Sequence, residues 1–219
     1  AMQADLVGIS LCVEPGTACY IPLGHVGGAD QGAFDLGDGA AGSGDGDGGE
    51  ESGDGSLLPG QIPMDDALAK LRPLLADPGV MKVLQNAKYD LLVFAQHGVR
   101  LTPTDDTMLL SYALEGGLHG HGLDELCRLH FGHENIQFKD VAGTGKNKAT
   151  FDRVSIEAAT PYAAEDADMA LRLYRLLKPR LVFDHMATVY ETLERPLVPV
   201  LVSMEQEGVK VDRRVLAEL

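Results

Sequence analysis

Apolar positions alternate at period two near the start of the chain. In "LVGISLCV" Val7, Ile9, Leu11 and Val13 share one face of an extended backbone, which predicts a strand. "EPGT" reads as a turn and "ACYIPLGH" as the returning strand, giving a hairpin. Periodicity then vanishes over residues 27–55, where 12 of 29 residues are Gly. Such a stretch buries too little apolar surface to order itself, so it reads as a flexible loop inserted between elements.

The pattern resumes at helical spacing. "PMDDALAKLRPLLAD" predicts an amphipathic helix with its acids early. "KVLQN" predicts a short strand feeding a helix over "AKYDLLVFAQHG", which Gly98 closes. "DDTMLLSYALEGG" and "GLDELCRLHFG" predict two more helices, and "IQFKDVAGTGKNKATF" an irregular basic loop. A long helix follows through "YAAEDADMALRLYRLLKPRL". "HMATVYETLERPLVPVLVSMEQEG" reads as a further helix that tolerates its prolines, and "VKVD" as the start of a strand. Strands followed by helices, with antiparallel and parallel pieces mixed, predict an α/β domain.

The long helix carries three acids within four positions, Glu165, Asp166 and Asp168. At about 100° per residue, with Tyr162 set at zero, Asp166 falls at roughly 40°, among Met169, Ala170, Leu173 and Leu177. Glu165 and Asp168 fall on the opposite face with Arg172 and Arg175 and read as a solvated, arginine-paired surface. Asp166 is different: a lone carboxylate on an apolar face is costly unless paired or metal-bound. The geometry recurs at "QNAKYD", where Asp90 lies between Val93 and Phe94. Asp90 serves either a structural hydrogen bond or a pairing with Asp166 through cations. Asn86, at the strand-to-helix junction, is either an N-cap or part of a site.

Composition narrows the classes. At 219 residues with 45% hydrophobic content, the chain holds a sizeable core and part of a second domain. No apolar run reaches membrane-spanning length and no leader pattern is present, so no membrane partner is expected. Three cysteines fit a reducing cytoplasm. Cys12 and Cys19 flank the first turn and can face each other across it, though small buried hydrophobes are the simpler reading. The net charge of −15 is uneven: residues 27–55 carry eight acids and no Lys or Arg, and removing those eight leaves −7. A polyanion partner is therefore not excluded. Both ends look cut, since one enters a strand at once and the other stops inside a helical pattern; the sequence reads as a piece of a longer chain.

Two carboxylates on separate helices, with a tyrosine one turn before one of them, suit metal-assisted phosphoryl chemistry. Hard oxygen ligands select magnesium or manganese, and two such ions activate water and stabilise a leaving oxygen. More than two carboxylates are normally needed. Two other arrangements are weaker. "GDGDGGEE" lacks the ligand order of a calcium loop. Cys127, His130 and His133, with His119 and His121 upstream, lack the tight cysteine pairs of structural zinc.

"VLQNAKYDLLVFAQHGV", "DDTMLLSYAL", "IQFKDVAGTGKNKATF" and "YAAEDADMALRLY" together resemble the 3′–5′ proofreading exonuclease domain of bacterial DNA polymerase I, in consistent order. "LERPLVPVLVSMEQEGVKVD" is similar to the start of that enzyme's polymerase region. The resemblance implies a ribonuclease H-like mixed sheet flanked by helices, with an exonuclease domain over 1–182 and the start of an α-helical polymerase region over 183–219. It implies Asp90 and Asp166 as ligands of two divalent cations, Mg2+ or Mn2+, and Tyr162 as the group orienting the attacking water. Gln85, Asn86 and Phe138 would contact the 3′ end of single-stranded DNA, and Lys146 and Lys148 its phosphates. The family's first strand, with its Asp-x-Glu pair, has no counterpart before "ADLVGIS", so this piece is expected to bind metal weakly and hydrolyse little. The other implied partner is the polymerase region of the same chain, in a cytoplasmic, nucleoid-associated monomer. Two alternatives remain, a non-catalytic domain steadying a polymerase and a ribonuclease D-like RNA 3′ exonuclease; the segment from Leu193 onward argues against the second.

Overall fold

The computed structural model describes residues 1–27, 56–145 and 148–218. The Gly-rich stretch falls almost wholly outside them, as do its calcium-like segment and Lys146.

The hairpin forms as the alternation predicts: β1 (Gly8–Glu14) pairs antiparallel with β2 (Thr17–Pro22) across a turn in which Gly16 adopts φ 84°. Only Gly takes that left-handed conformation without strain. The register shifts between Cys12 and Glu14, and this bulge carries Val13 off the buried face into solvent. Leu11 pairs with Cys19 and Cys12 with Ala18, so the two cysteines stand on opposite faces of the hairpin and cannot meet. Of the three cysteines, all free, only Cys127 is buried.

After α1 (Met64–Ala76), β3 (Lys82–Leu84) leads into α2 (Ala87–Gln96), closed by Gly98 at φ 63°. The next element departs from the sequence pattern. Thr104–Asp106 forms a strand, β4, parallel to β3, before α3 (Thr107–Glu115) begins. Two adjacent aspartates offer no apolar alternation, and the strand exists because other segments satisfy them. Asp105 is fully buried against Lys178 at 3.0 Å, Arg195 at 3.3 Å and the Tyr190 hydroxyl at 3.1 Å.

α4 (Leu123–Phe131) follows as expected. The basic loop is less irregular than its sequence suggests: Phe138–Ala142 forms a one-turn helix, α5, and Phe151–Arg153 a 3-10 turn. The long helix α6 (Ile156–Phe183) runs 28 residues, its N-cap Ser155 accepting a hydrogen bond from Ala158 N. Beyond it come α7 (Ala187–Val189), a π-helical segment at Tyr190–Glu194 and α8 (Arg195–Glu207). Pro196 at the start of α8 has no N–H to close a regular turn, which favours the wider π spacing before it. "VKVD" forms no strand among the described residues; α9 (Arg213–Glu218) follows directly.

Three apolar clusters join these elements. Leu6, Ile9, Leu23, Leu68, Val93 and Phe94 unite the hairpin, α1 and α2. Leu110, Leu126, Leu173, Leu177, Leu181 and Tyr190 unite α3, α4, α6 and the π segment. Each fully buried leucine contributes ~1.5–3 kcal/mol. The third cluster, Ala142, Val154 and Ala159, backs Phe138 and Phe151. Among the described residues β1 pairs only with β2 and β3 only with β4, so two strand edges face one another across a gap floored by α2 and α6. No helix among the described residues is long and apolar enough to cross a membrane.

Candidate active site

That gap is a groove of about 570 Å³, bordered by residues 5–10 of the β1 edge and 83–85 of the β3 edge. Asp90 enters it from α2, Tyr162 and Asp166 from α6, and Gln85 from the end of β3. The 3.6-residue period explains the α6 pair: Tyr162 and Asp166 lie one turn apart and both line the groove. Leu173 and Leu177, about two and three turns beyond Asp166 on that face, are buried in the core and fix its rotation.

Burial pushes the Asp90 carboxyl up to about 7, helped by the neighbouring Asp106 carboxylate. Burial likewise pushes Asp166 up to about 7, with Asp124 and Glu165 adding repulsion and the Tyr162 hydroxyl opposing it. No Lys or Arg forms an ion pair with either among the described residues. Two carboxyls surrounded by negative charge and aimed into one groove are donors that could hold divalent cations, which would favour their charged forms. They fit such ions by ligand chemistry but not by number. Among the described residues no group of three or more His, Cys, Asp or Glu is arranged to hold a metal. The Tyr162 hydroxyl is raised to about 12, chiefly by burial and then by Asp166. It therefore stays protonated and acts as a hydrogen-bond donor, not a base.

A second hollow of about 390 Å³ adjoins the groove, and Tyr162 and Asp124 line both. Phe138, at the start of α5, stands 6.1 Å from the Tyr162 ring, and Phe151 stands 5.8 Å from it. Lys148 Nζ lies 5.1 Å over the Phe138 ring, with Lys139 on the same wall. An aromatic platform with two ammonium groups suits a base and its phosphate. His25, fully buried, holds the platform from behind. Its Nδ1 donates to Val154 O at 2.8 Å, which leaves Nε2 to accept from the Tyr20 hydroxyl at 2.7 Å. Phe151 packs against that imidazole at 5.6 Å.

Several sequence expectations change. Glu165 is not part of a solvated arginine-paired face: it bonds His133 Nε2 at 2.8 Å and accepts from Ile136 N at 2.7 Å. The loop before Phe138 folds over it, a tertiary contact that a helical wheel does not contain. Asp168 does pair with Arg172, at 2.9 Å, but is buried, because the hairpin turn docks on it through Gly16 N at 2.8 Å. Asn86 makes no side-chain cap. It adopts φ 63°, ψ 53°, is exposed and lines neither hollow, and the cap of α2 comes from Asp106. His119 pairs with Glu115, His121 with Ser111 and His133 with Glu165. Asp124 and Phe151 are the site residues that sequence reasoning missed. Asp124 reads there as an ordinary acid in the first turn of a helix, and Phe151 as the end of a loop.

Comparison with known proteins identifies the family. The model of a 3′–5′ exonuclease family matches residues 49–182. The chain is 46% identical over 228 residues to a DNA polymerase I of Rhizobium leguminosarum, an alignment covering all of this chain and 20% of the relative. It is 39% identical over 220 residues to a DNA polymerase I of Pseudomonas aeruginosa, covering 99% of this chain and 21% of that protein. The chain thus spans about a fifth of the length of these curated relatives. Among solved structures, Brucella melitensis NrnC superposes with a TM-score of 0.53 at 25% identity, covering 64% of each chain. The POL domain of Pol1 from M. smegmatis, in complex with DNA primer-template and dNTP, superposes with a TM-score of 0.55 at 24% identity, covering 72% of this chain and 24% of that one.

Proposed function

Because the chain belongs to the 3′–5′ exonuclease family, as the exonuclease domain of a DNA polymerase I with a ribonuclease H-like fold, we propose that its groove removes nucleotides from the 3′ end of single-stranded DNA. The observation that carries this reading is the convergence of Asp90, Asp166 and Tyr162 on one groove beside an aromatic, lysine-bearing hollow.

Asp90 and Asp166 would hold two divalent cations, Mg2+ or Mn2+, in the groove. When bound, such ions supply an activated water and stabilise the leaving oxygen. The Tyr162 hydroxyl, one helical turn from Asp166 in the same groove, orients the attacking water in line with the scissile phosphorus. Phe138 and Phe151 stack the terminal bases, Lys148 and Lys146 neutralise phosphate, and Gln85 contacts the last nucleotide from the groove, with the exposed Asn86 beside it reaching only chain that extends past the groove. The water oxygen forms the new bond to phosphorus as the bond to the 3′ oxygen breaks, releasing a 5′-mononucleotide. Two carboxylates alone hold cations weakly, so residues 1–219 by themselves hydrolyse little.

We place the nuclease region at 1–182 and the start of the polymerase region at 183–219. The protein works as a cytoplasmic, nucleoid-associated monomer whose polymerase region delivers the frayed 3′ end. The test uses the full-length protein on a 5′-labelled single-stranded DNA with magnesium. The label is expected to persist on a ladder shortened one nucleotide at a time, with 5′-mononucleotides as product. Internal cuts, release of the 5′ label first, or digestion of RNA alone would overturn the reading.

A further inference from the structure

Asp90 lies in the first turn of α2, and what fixes that turn comes from elsewhere in the chain. Asp106 supplies it. Its Oδ1 accepts from Asn86 N at 3.0 Å and Met108 N at 2.9 Å, and its Oδ2 accepts from Ala87 N at 2.8 Å. One carboxylate thus ties the starts of α2 and α3 together, satisfying amides that a helix terminus leaves unpaired.

Asp106 is itself held by a residue 84 positions away. Its backbone N–H donates to the Tyr190 hydroxyl at 3.0 Å, and that hydroxyl donates onward to Asp105 Oδ1 at 3.1 Å. Tyr190 is fully buried in the π segment beyond α6. The strand is gripped on its other side as well. Arg195 Nε donates to Thr104 O at 3.0 Å, and Lys178 and Arg195, both paired with Asp105, are bridged by Glu191 at 2.6 and 2.7 Å. Further along the same helical stretch, Glu205 of α8 pairs with Lys88 of α2, two residues before Asp90. The segment after residue 183 therefore touches the Asp90 turn twice, once through β4 and once directly.

We infer that Tyr190 is a positioning residue for the exonuclease site: its hydroxyl fixes Asp106, and Asp106 fixes the α2 turn that presents Asp90 to the groove. The inference rests on the nuclease reading above and deepens it, since it gives the polymerase-side helix a part in nuclease geometry. Burial alone would not need the hydroxyl, because a phenylalanine fills the same space.

Tyr190→Phe in the full-length protein separates the two roles. Groups that orient metal ligands typically change activity or metal affinity by about 10- to 100-fold. We expect kcat on single-stranded DNA to fall about tenfold and half-saturating Mn2+ to rise by a similar factor, with KM for DNA nearly unchanged. Amide hydrogen exchange reads the same geometry without the reaction: Asn86 and Ala87 should exchange roughly tenfold faster in the variant, while amides of α1 keep their wild-type rates. Unchanged exchange at Asn86 and Ala87 overturns the inference whatever the nuclease assay shows, and so does faster exchange with unchanged kcat and Mn2+ dependence. Should Tyr190→Phe fail to fold, Arg195→Gln loosens the same strand from a partly exposed position and decides the matter. It should show the same direction in both readouts, and wild-type values in both would overturn the inference.

Discussion

Replacing Asp166 by Asn is expected to lower nucleotide release from a single-stranded 3′ end by roughly a thousandfold or more, a loss typical of removing one member of a catalytic unit. The substitution keeps the size of the side chain and a carbonyl oxygen for the Tyr162 hydroxyl, so a structural effect is small. What disappears is the negative charge. No neighbour supplies it back in the same position, because the surrounding charges at Asp124 and Glu165 repel Asp166 without sharing its place in the groove. Asp168→Asn is the matched control, two residues along the same helix. Asp168 is engaged with Arg172 and Gly16 N, away from the groove, so its loss should cost stability while leaving the rate within about twofold. A comparable loss in both variants would mean that the acids of α6 act through helix stability and not through a site.

The second large effect concerns the cation-free protein. Asp90 and Asp166 are raised from 3.8 to about 7, so the folded state binds their protons more tightly than the unfolded chain does. The stability they contribute is complete below about pH 4 and is lost as pH rises through about 7. Each shift corresponds to at most ~4 kcal/mol, and water in the open groove reduces it. With chelator present at pH 8, Asp166→Asn should therefore be more stable than wild type, by about 2 kcal/mol, and the difference should close near pH 4. Adding Mn2+ at pH 8 should reverse the order, because only the wild type gains from binding the ion. Urea unfolding at the two pH values, with and without Mn2+, measures this. A variant less stable than wild type in chelator would show that Asp166 is satisfied inside the protein and is no cation ligand.

These two carboxylates were legible in the sequence because a helix has a fixed period and burial of an unpaired acid is expensive. The wheel places Tyr162 and Asp166 on the core side from local information alone. The same reasoning misjudged Glu165, since its partner loop at 133–136 arrives from another part of the chain. β4 was illegible for a related reason. Asp105 and Asp106 are poor strand formers and the stretch shows no apolar alternation, and Lys178, Tyr190 and Arg195 stabilise it from some 70 to 90 positions away. α5, at five residues, is too short to show a period. Asn86 has the right residue type for a cap, yet its left-handed backbone turns the role over to Asp106. Period and residue type thus locate side chains within an element, while the partners that complete the site come from distant segments.

Equilibrium Mn2+ binding to the full-length protein tests the central claim most directly, with Asp90→Asn, Asp166→Asn and Asp168→Asn compared side by side. The wild type should bind two ions in the groove. Asp90→Asn and Asp166→Asn should each weaken binding by about tenfold or more, or lose an ion outright, while Asp168→Asn binds as the wild type does. Wild-type binding in Asp90→Asn and Asp166→Asn, or an equal loss in Asp168→Asn, would contradict the assignment of Asp90 and Asp166 as the cation ligands of this groove.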